Sequence, residues 1–81
     1  MRLDKYLKVS RIIKRRTVAN EACDGGRVQV NGKPARASYD VKTGDILEIS
    51  LGAHTVKAEV LSVDEYATKD SAASMYRMLE E

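Results

Sequence analysis

The sequence predicts an α+β fold in which an N-terminal helical hairpin packs on a small, mostly antiparallel sheet, followed by a short C-terminal helix. Two observations predict this fold. Apolar residues follow helical spacing up to Asp24 and then alternate with polar residues after Gly26. Asn31-Gly32, a pair that favours a two-residue hairpin turn, follows the first alternating segment. A chain of 81 residues is expected to form a single domain with a small core.

The first 24 residues are predicted to form two short helices. Leu3, Tyr6 and Leu7 share one face of the first, because positions i, i+3 and i+4 lie on the same side of a helix. Thr17 is predicted as the N-cap of the second helix. The apolar stripe of this second helix comprises Val18, Ala19, Ala22 and Cys23. Gly25-Gly26 is expected to end it, because glycine adopts the left-handed conformation without steric cost.

The middle of the chain is predicted to form strands. Residues 28–30 alternate between apolar and polar, and Pro34 limits the returning segment to a sheet edge because proline lacks a backbone N–H. Thr43-Gly44-Asp45 predicts a turn before the apolar run at 46–51. Gly52-Ala53-His54 predicts another turn into a further apolar strand.

The tail from Asp70 to Glu81 is predicted to be a short amphipathic helix. Its expected apolar face comprises Ala72, Met75, Tyr76 and Leu79. This helix would close the fold after the last strand.

Charge is strongly segregated along the chain. Residues 1–36 contain ten Lys and Arg residues against three acids, a formal charge of +7. Residues 37–81 contain four basic and nine acidic residues, a formal charge of −5. A basic half of this kind is typical of proteins that bind a polyanion, most commonly nucleic acid. A solvated helical face is the alternative explanation for the same residues.

Other classes of function are poorly supported. The chain has no apolar run long enough for a transmembrane helix and no apolar segment typical of a signal peptide, so a cytoplasmic location is expected. Cys23 is the only cysteine, and it is interpreted as a buried thiol. His54 has no nucleophile or base pattern around it. We therefore expect a binding protein that is not an enzyme and holds no cofactor or metal.

The missing residue types narrow the kind of nucleic acid. Phe and Trp are absent, and none of the four Tyr residues lies in an alternating basic and aromatic strand. Domains that stack single-stranded bases normally need such a platform. The helical hairpin is also short for insertion into a DNA major groove. The basic surface is therefore expected to recognise the shape and backbone of folded RNA.

Four blocks of the sequence resemble the S4-type RNA-binding domain family. The blocks are Met1 to Leu7, Arg11 with Lys14 to Thr17, Gly25 to Gly32, and Val41 to Asp45. The resemblance implies an S4 motif, also described as αL-like, over about residues 1–51. Residues 52–81 would then add a β extension and the C-terminal helix. The chain as a whole, including residues 72–76, is similar to a standalone bacterial branch of this family that acts in ribosome-associated quality control.

The resemblance implies a function and partners. A member of this branch would bind the rRNA of a stalled large ribosomal subunit that still carries peptidyl-tRNA, and would hold that tRNA in the P site. A partner protein, RqcH, would meanwhile recruit alanyl-tRNA and extend a C-terminal alanine tail. Direct contact with RqcH stays open, no membrane is involved, and the protein is expected to be a monomer.

Twelve residues are predicted to form the RNA-binding surface. They are Arg2, Asp4, Lys5, Lys8, Arg11, Lys14, Arg15, Arg16, Arg27, Asn31, Lys33 and Arg36. Asp4 is unusual because it is an acid within a basic patch. One expected role is to pair with Arg16 or a neighbouring basic residue and so fix the direction of that side chain. The other is to accept a hydrogen bond from RNA.

Three alternatives stay open. The chain could be a ribosome-recycling factor similar to the S4-type heat-shock protein of proteobacteria. It could be a basic module that binds an acidic protein instead of RNA. It could also be an S4-type domain detached from an RNA-modifying enzyme, although Met1 and the predicted closing helix favour a complete protein.

Overall fold

The structure, a computed structural model, describes residues 1–79. Helices and strands in this part of the chain form one α+β unit, with a five-stranded antiparallel sheet in the order β2-β1-β3-β4-β5. The elements are α1 (Leu3–Val9), α2 (Arg16–Asp24), β1 (Val28–Val30), β2 (Lys33–Pro34), β3 (Ile46–Leu51), β4 (His54–Val60), α3 (Lys69–Ala72) and β5 (Tyr76–Met78). The predicted fold class is confirmed.

The predicted helical hairpin is present and its inner faces form much of the core. Leu3, Tyr6 and Leu7 of α1 are completely buried. They share one core cluster with Ala19 and Cys23 of α2. Burial of these apolar side chains supplies the main stabilisation of the hairpin, because helices this short are marginal alone in water.

The start of α2 differs from the prediction. Arg15 rather than Thr17 is the N-cap, and its side chain makes no capping hydrogen bond. The Arg15 carbonyl accepts the first helical bond from Ala19 N–H at 3.0 Å. This earlier start places Arg16 in the first turn, where it contacts Asp4. Val18, predicted in the apolar stripe, is 45% exposed because it lies about 100° around the helix from buried Ala19.

The glycine stop after α2 is confirmed. Gly25 keeps a negative φ, whereas Gly26 adopts φ +79°, which favours glycine. Gly26 N–H donates to the Cys23 carbonyl at 3.1 Å, and Arg27 N–H donates to the Ala22 carbonyl at 2.9 Å. These two bonds form a Schellman motif that satisfies the last carbonyls of the helix.

The hairpin between β1 and β2 also follows the prediction. Asn31 has φ +53° and Gly32 has φ +84°, the positive values that a type I′ turn requires at both central positions. Val30 then pairs with Lys33 across the turn. β2 lies at the sheet edge, where the missing N–H of Pro34 is tolerated.

β3 and β4 form the central hairpin. A two-residue turn, Gly52-Ala53, connects Leu51 to its pairing partner His54. His54 is therefore the first residue of a strand and not a turn residue as predicted, because the turn closes one residue earlier. Leu47 and Ile49 of β3 alternate with less buried residues and fill the core below the helices.

The predicted tail helix is mostly wrong. Only Lys69–Ala72 is helical, begun by a capping box between Thr68 and Ser71. Tyr76–Met78 instead forms β5, because the outer edge of β4 is open to pairing. Arg77 of β5 forms an ion pair with Glu59 of β4. The last residues of the predicted helix, 80 and 81, lie outside the described residues.

One hydrogen bond joins the two ends of the described chain. The Tyr6 hydroxyl in α1 donates to the Met75 carbonyl at 2.7 Å, and both residues are buried. The Met75 carbonyl also accepts from Leu61 N–H at 2.7 Å. α1 is therefore anchored to the segment that precedes β5. Within residues 1–79, no helix is long and apolar enough to cross a membrane.

Candidate nucleic-acid interface

A buried carboxylate lies at the centre of the basic surface. Asp4 is only 2% exposed, although it is charged. Its Oδ1 accepts from Lys5 N–H at 2.8 Å and from Arg2 Nε at 3.1 Å. Its Oδ2 accepts from Asn20 Nδ2 at 3.2 Å and from Arg16 Nε at 3.4 Å. We call Arg2, Asp4, Arg16 and Asn20 the Asp4 cluster.

The hydrogen bonds of the Asp4 cluster lower the pKa of the carboxyl group. Burial alone would raise the pKa of Asp4, because it disfavours the charged form. Hydrogen bonds from Arg2, Asn20 and the Lys5 N–H, with the positive charge of Arg16, outweigh burial and lower the pKa to about 2. Asp4 therefore stays ionised throughout the physiological range.

This pKa shift predicts a pH dependence of stability. Because the pKa of Asp4 is lower in the folded state than its ordinary value of 3.8, its contribution is complete above that value and is lost as the pH falls towards 2. At about 1.36 kcal/mol per pKa unit, the contribution at pH 7 is ~2 kcal/mol. We expect Asp4→Asn to lower the free energy of unfolding at pH 7 and to converge with the wild type near pH 2. Urea unfolding across this range measures both; a difference that persists unchanged to pH 2 would contradict it.

Two arginines flank Asp4 and face solvent. The side chains of Arg2 and Arg16 are 50% and 49% exposed. A guanidinium has five N–H donors, and each arginine spends only one or two of them on Asp4. The remaining donors border an open cleft of about 450 Å³ that Thr17 and Glu21 also line. Two fixed guanidinium groups of this kind suit bidentate contacts with phosphate oxygens.

A second basic group lies at the opposite end of α1. Lys8, Arg11 and Lys14 line a cleft of about 500 Å³, together with Glu65. Arg11 has φ +64°, an unusual backbone conformation for a residue with a side chain. No ion pair of these three cations is found among residues 1–79. α1 spans seven residues, so about 10 Å separates this group from the start of the helix.

Lys5 and Arg15 complete the helical part of the predicted surface. Lys5 forms an ion pair with Glu65 at 3.2 Å, with both side chains partly exposed. The ammonium group of Lys5 is therefore partly neutralised within the protein. Arg15 is exposed at the N-cap of α2, beside Arg16.

The hairpin residues of the predicted surface divide into two kinds. Arg27, Lys33 and Arg36 are exposed. The amide of Asn31 is committed within the protein, because its Nδ2 donates to Asp45 at 3.0 Å and its Oδ1 accepts from Ile46 N–H at 2.9 Å. The side chain of Asn31 thus holds the turn in place.

One loop brings the hairpin beside the Asp4 cluster. Leu3 N–H donates to the Tyr39 carbonyl at 2.8 Å, and Asp4 N–H donates to the Ala37 carbonyl at 3.2 Å. Ala37 N–H in turn donates to Asp24 Oδ1 at 3.0 Å. The loop over residues 35–40 is therefore fixed against both helices.

Sequence reasoning missed several residues of this region. Asn20 contacts Asp4 because it lies four residues after Arg16 and faces the same side of α2, a spacing that is visible in the sequence. Tyr39 and Asp45 bond to each other at 3.0 Å. No sequence signal links those two residues to the surface, since the loop that contains Tyr39 has no regular period.

His54 and Cys23 lie apart from the basic surface in character. His54 is exposed at the start of β4. Cys23 is buried, and burial, with smaller contributions from the negative charges of Asp4 and Asp24, raises the pKa of its thiol to about 12. This agrees with its interpretation as a packing residue. Within residues 1–79, no group of three or more His, Cys, Asp or Glu residues is placed to hold a metal ion.

Comparison with known proteins gives consistent matches. The S4 domain family model matches residues 1–47. The RQC P-site tRNA stabilizing factor of Bacillus subtilis (strain 168) is 51% identical over all 81 residues, which cover 94% of that protein. The factor of the same name from Streptococcus pneumoniae is 52% identical over all 81 residues, which cover 92% of that protein. The trimeric structure of Vibrio cholerae Heat Shock Protein 15 matches with a TM-score of 0.88 and 28% identity, over 98% of this chain and 81% of that one.

Proposed function

This chain belongs to the S4 domain family, within the group of RQC P-site tRNA stabilizing factors, and from that premise we propose that it is an RNA-binding factor of bacterial ribosome-associated quality control. The resemblance predicted from the sequence is thereby confirmed. In this proposal the protein binds a stalled large ribosomal subunit that carries peptidyl-tRNA. It contacts rRNA and tRNA, stabilises the tRNA in the P site and supports alanine tailing by RqcH.

The Asp4 cluster is the observation that carries this proposal. A buried, ionised carboxylate holds Arg2 and Arg16 in fixed directions, with half of each side chain open to solvent. Fixed guanidinium groups lose little conformational entropy when they bind phosphate, which favours recognition of a defined RNA backbone geometry. A surface that attracted phosphates only through its net charge would not need this internal support.

The segregation of charge supports binding through one side of the protein. The first 36 residues carry +7 and the rest of the chain carries −5. On a ribosomal surface dominated by phosphates, the basic half would be attracted and the acidic half repelled. This polarity would orient the protein before close contacts form. Ten of the twelve predicted surface residues keep a proposed contact with RNA, whereas Asp4 positions Arg2 and Arg16 and Asn31 holds the hairpin turn.

The proposed mechanism requires no covalent chemistry. A stabiliser acts by binding one arrangement of subunit and tRNA more tightly than the others, which shifts the population towards that arrangement. Each protein would act as a monomer, with one copy on each subunit. The heat-shock-type recycling alternative is less favoured, because the full-length relatives at 51% and 52% identity carry the P-site name.

The test is alanine tailing in a reconstituted system of stalled large subunits, charged tRNA and RqcH. Addition of the wild-type protein is expected to raise the rate of alanine tailing. In a sucrose gradient, the protein is expected to sediment with the large subunits. Tailing at the same rate without the protein would contradict the stabiliser role. A protein that stays at the top of the gradient would favour an acidic protein partner.

The same assay tests the absence of catalysis. Because neither His54 nor Cys23 belongs to the proposed surface, His54→Ala and Cys23→Ser should both support wild-type tailing. Thermal melting serves as the control for Cys23→Ser, since Cys23 is buried. Loss of tailing by folded His54→Ala alone would overturn the non-enzymatic mechanism.

A further inference from the structure

A separate cleft lies on the hairpin side of the molecule. It has a volume of about 640 Å³ and opens between β2 and the loop at 35–39. Its lining includes Lys33 and Pro34 of β2, and Arg36, Ser38 and Tyr39 of the loop. We call it the hairpin cleft. Its volume falls within the range of about 300–1,000 Å³ that is typical of small-ligand sites.

The walls of the hairpin cleft are firmly held. The Tyr39 hydroxyl donates to Asp45 Oδ2 at 3.0 Å, and the half-buried ring packs against the core. Asn31 Nδ2 donates to the other carboxylate oxygen, Asp45 Oδ1, at 3.0 Å. Lys42 N–H also donates to Asp45 Oδ2 at 3.0 Å. One mostly buried carboxylate therefore fixes both the turn at one end of the cleft and its aromatic wall.

The cations of the hairpin cleft are free to bind an anion. Lys33 and Arg36 are exposed, and no ion pair of either is found among residues 1–79. The nearby carboxylate of Asp45 is 8% exposed and already accepts three hydrogen bonds. Asp40, next to Tyr39 in the chain, is exposed but pairs with the terminal amine of Met1 at 2.8 Å. Lys33 and Arg36 are therefore the charges of the cleft that are available to an anion.

We propose that the hairpin cleft binds one unpaired nucleotide of RNA, with its phosphate on Lys33 and Arg36 and its base against the ring of Tyr39. A phosphate-binding pair beside a rigid aromatic wall is the combination that single-stranded nucleic acid requires. A duplex does not expose a base face in this way. The cleft thus differs from the rest of the basic surface, which is suited to the RNA backbone.

The position of the cleft connects it to the Asp4 cluster. The loop that supplies Arg36 and Tyr39 accepts hydrogen bonds from Leu3 and Asp4 N–H at the start of α1. An RNA strand that contacts Arg2 and Arg16 would need to cross only this loop to reach the hairpin cleft. The inference rests on the proposed RNA-binding function and assigns a single-stranded element of the RNA to this part of the surface.

The test uses two RNA probes, pentauridylate and a twelve-base-pair RNA duplex, in titrations of ¹⁵N-labelled protein followed by NMR. Pentauridylate should shift the backbone amides of Ser38 and Tyr39, next to the aromatic wall, whereas the duplex, which exposes no base face, should leave these two amides unshifted even where it contacts Lys33 and Arg36. Lys33→Ala/Arg36→Ala should weaken pentauridylate binding by about tenfold and flatten its salt dependence. Tyr39→Leu should weaken it by about tenfold through lost stacking, whereas Tyr39→Phe, which keeps the ring, should bind within about twofold of the wild type.

Lys42→Ala/Lys69→Ala provides the matched control, since it removes two exposed cations outside the cleft. It should bind pentauridylate within about twofold of the wild type. Three results would each overturn the proposed nucleotide site in the hairpin cleft. They are equal weakening by both double variants, no binding of pentauridylate, and shifts confined to the Asp4 cluster. Failure of the wild-type protein to bind large subunits would instead overturn the proposed function. The pentauridylate titration would still show whether the hairpin cleft binds an unpaired nucleotide.

Discussion

We expect the triple variant Arg2→Ala/Lys5→Ala/Arg16→Ala to lose binding to large ribosomal subunits and to stop alanine tailing. The three cations lie at the start of the two helices, and two of them are fixed by Asp4. We expect affinity to fall by at least about a hundredfold, ~3 kcal/mol, because charge-assisted contacts to phosphate are lost. Binding at several salt concentrations should also show a shallower slope, since fewer counterions are released.

The control for this variant is Lys42→Ala/Lys57→Ala/Lys69→Ala. It removes the same number of positive charges from the acidic part of the chain. If RNA binding depended only on net charge, both triple variants would lose the same affinity. Similar losses would therefore contradict a defined binding surface. Circular dichroism of both variants checks that the fold is retained.

Asp4→Ala is expected to weaken stability and binding together. Loss of the buried carboxylate removes the hydrogen bonds from Asn20 and the Lys5 N–H and leaves two arginines without their shared partner. We expect the free energy of unfolding to fall by about 2–3 kcal/mol at pH 7. Large-subunit binding should fall by at least about tenfold, although the protein gains one unit of positive charge.

Asp40→Ala is the control that separates the change in net charge from the loss of arginine positioning. Asp40 is a 73%-exposed acid that pairs with the terminal amine of Met1, and its removal changes net charge by the same amount. We expect Asp40→Ala to bind RNA at least as tightly as the wild type, since its loss makes the surface more positive. Tighter binding by folded Asp4→Ala would show that Asp4 does not position the arginines.

The parts of the fold with local signals were predictable from sequence. Gly26 and Asn31-Gly32 require positive φ, so the end of α2 and the first hairpin follow from residue type. The spacing of apolar residues in 70–79 is also helical, but β5 forms there because the edge of β4 is available. Pairing with a strand far away in sequence overrides local periodicity, and no local pattern reports it.

The candidate site divides in the same way. The positive charge of the site and its approximate extent follow from the ten basic residues among the first 36. Pairing of Asp4 with Arg16 was one of the two roles predicted for Asp4. The burial of Asp4 depends on the loop at 35–40 crossing the start of α1. The links of Asn31 and Tyr39 through Asp45 depend on the same tertiary arrangement. These polar contacts join separate segments, so periodicity could not reveal them.

The bond between Tyr6 and Met75 has a consequence for the order of folding. The buried hydroxyl of Tyr6 finds its acceptor 69 positions later in the chain. During synthesis, α1 and the first hairpin emerge well before this acceptor, and a buried hydroxyl without a partner costs about 1–3 kcal/mol. Contacts between distant segments also slow folding, because the intervening chain must be ordered first. We therefore expect the N-terminal half of the core to be completed only after Met75 has left the exit tunnel.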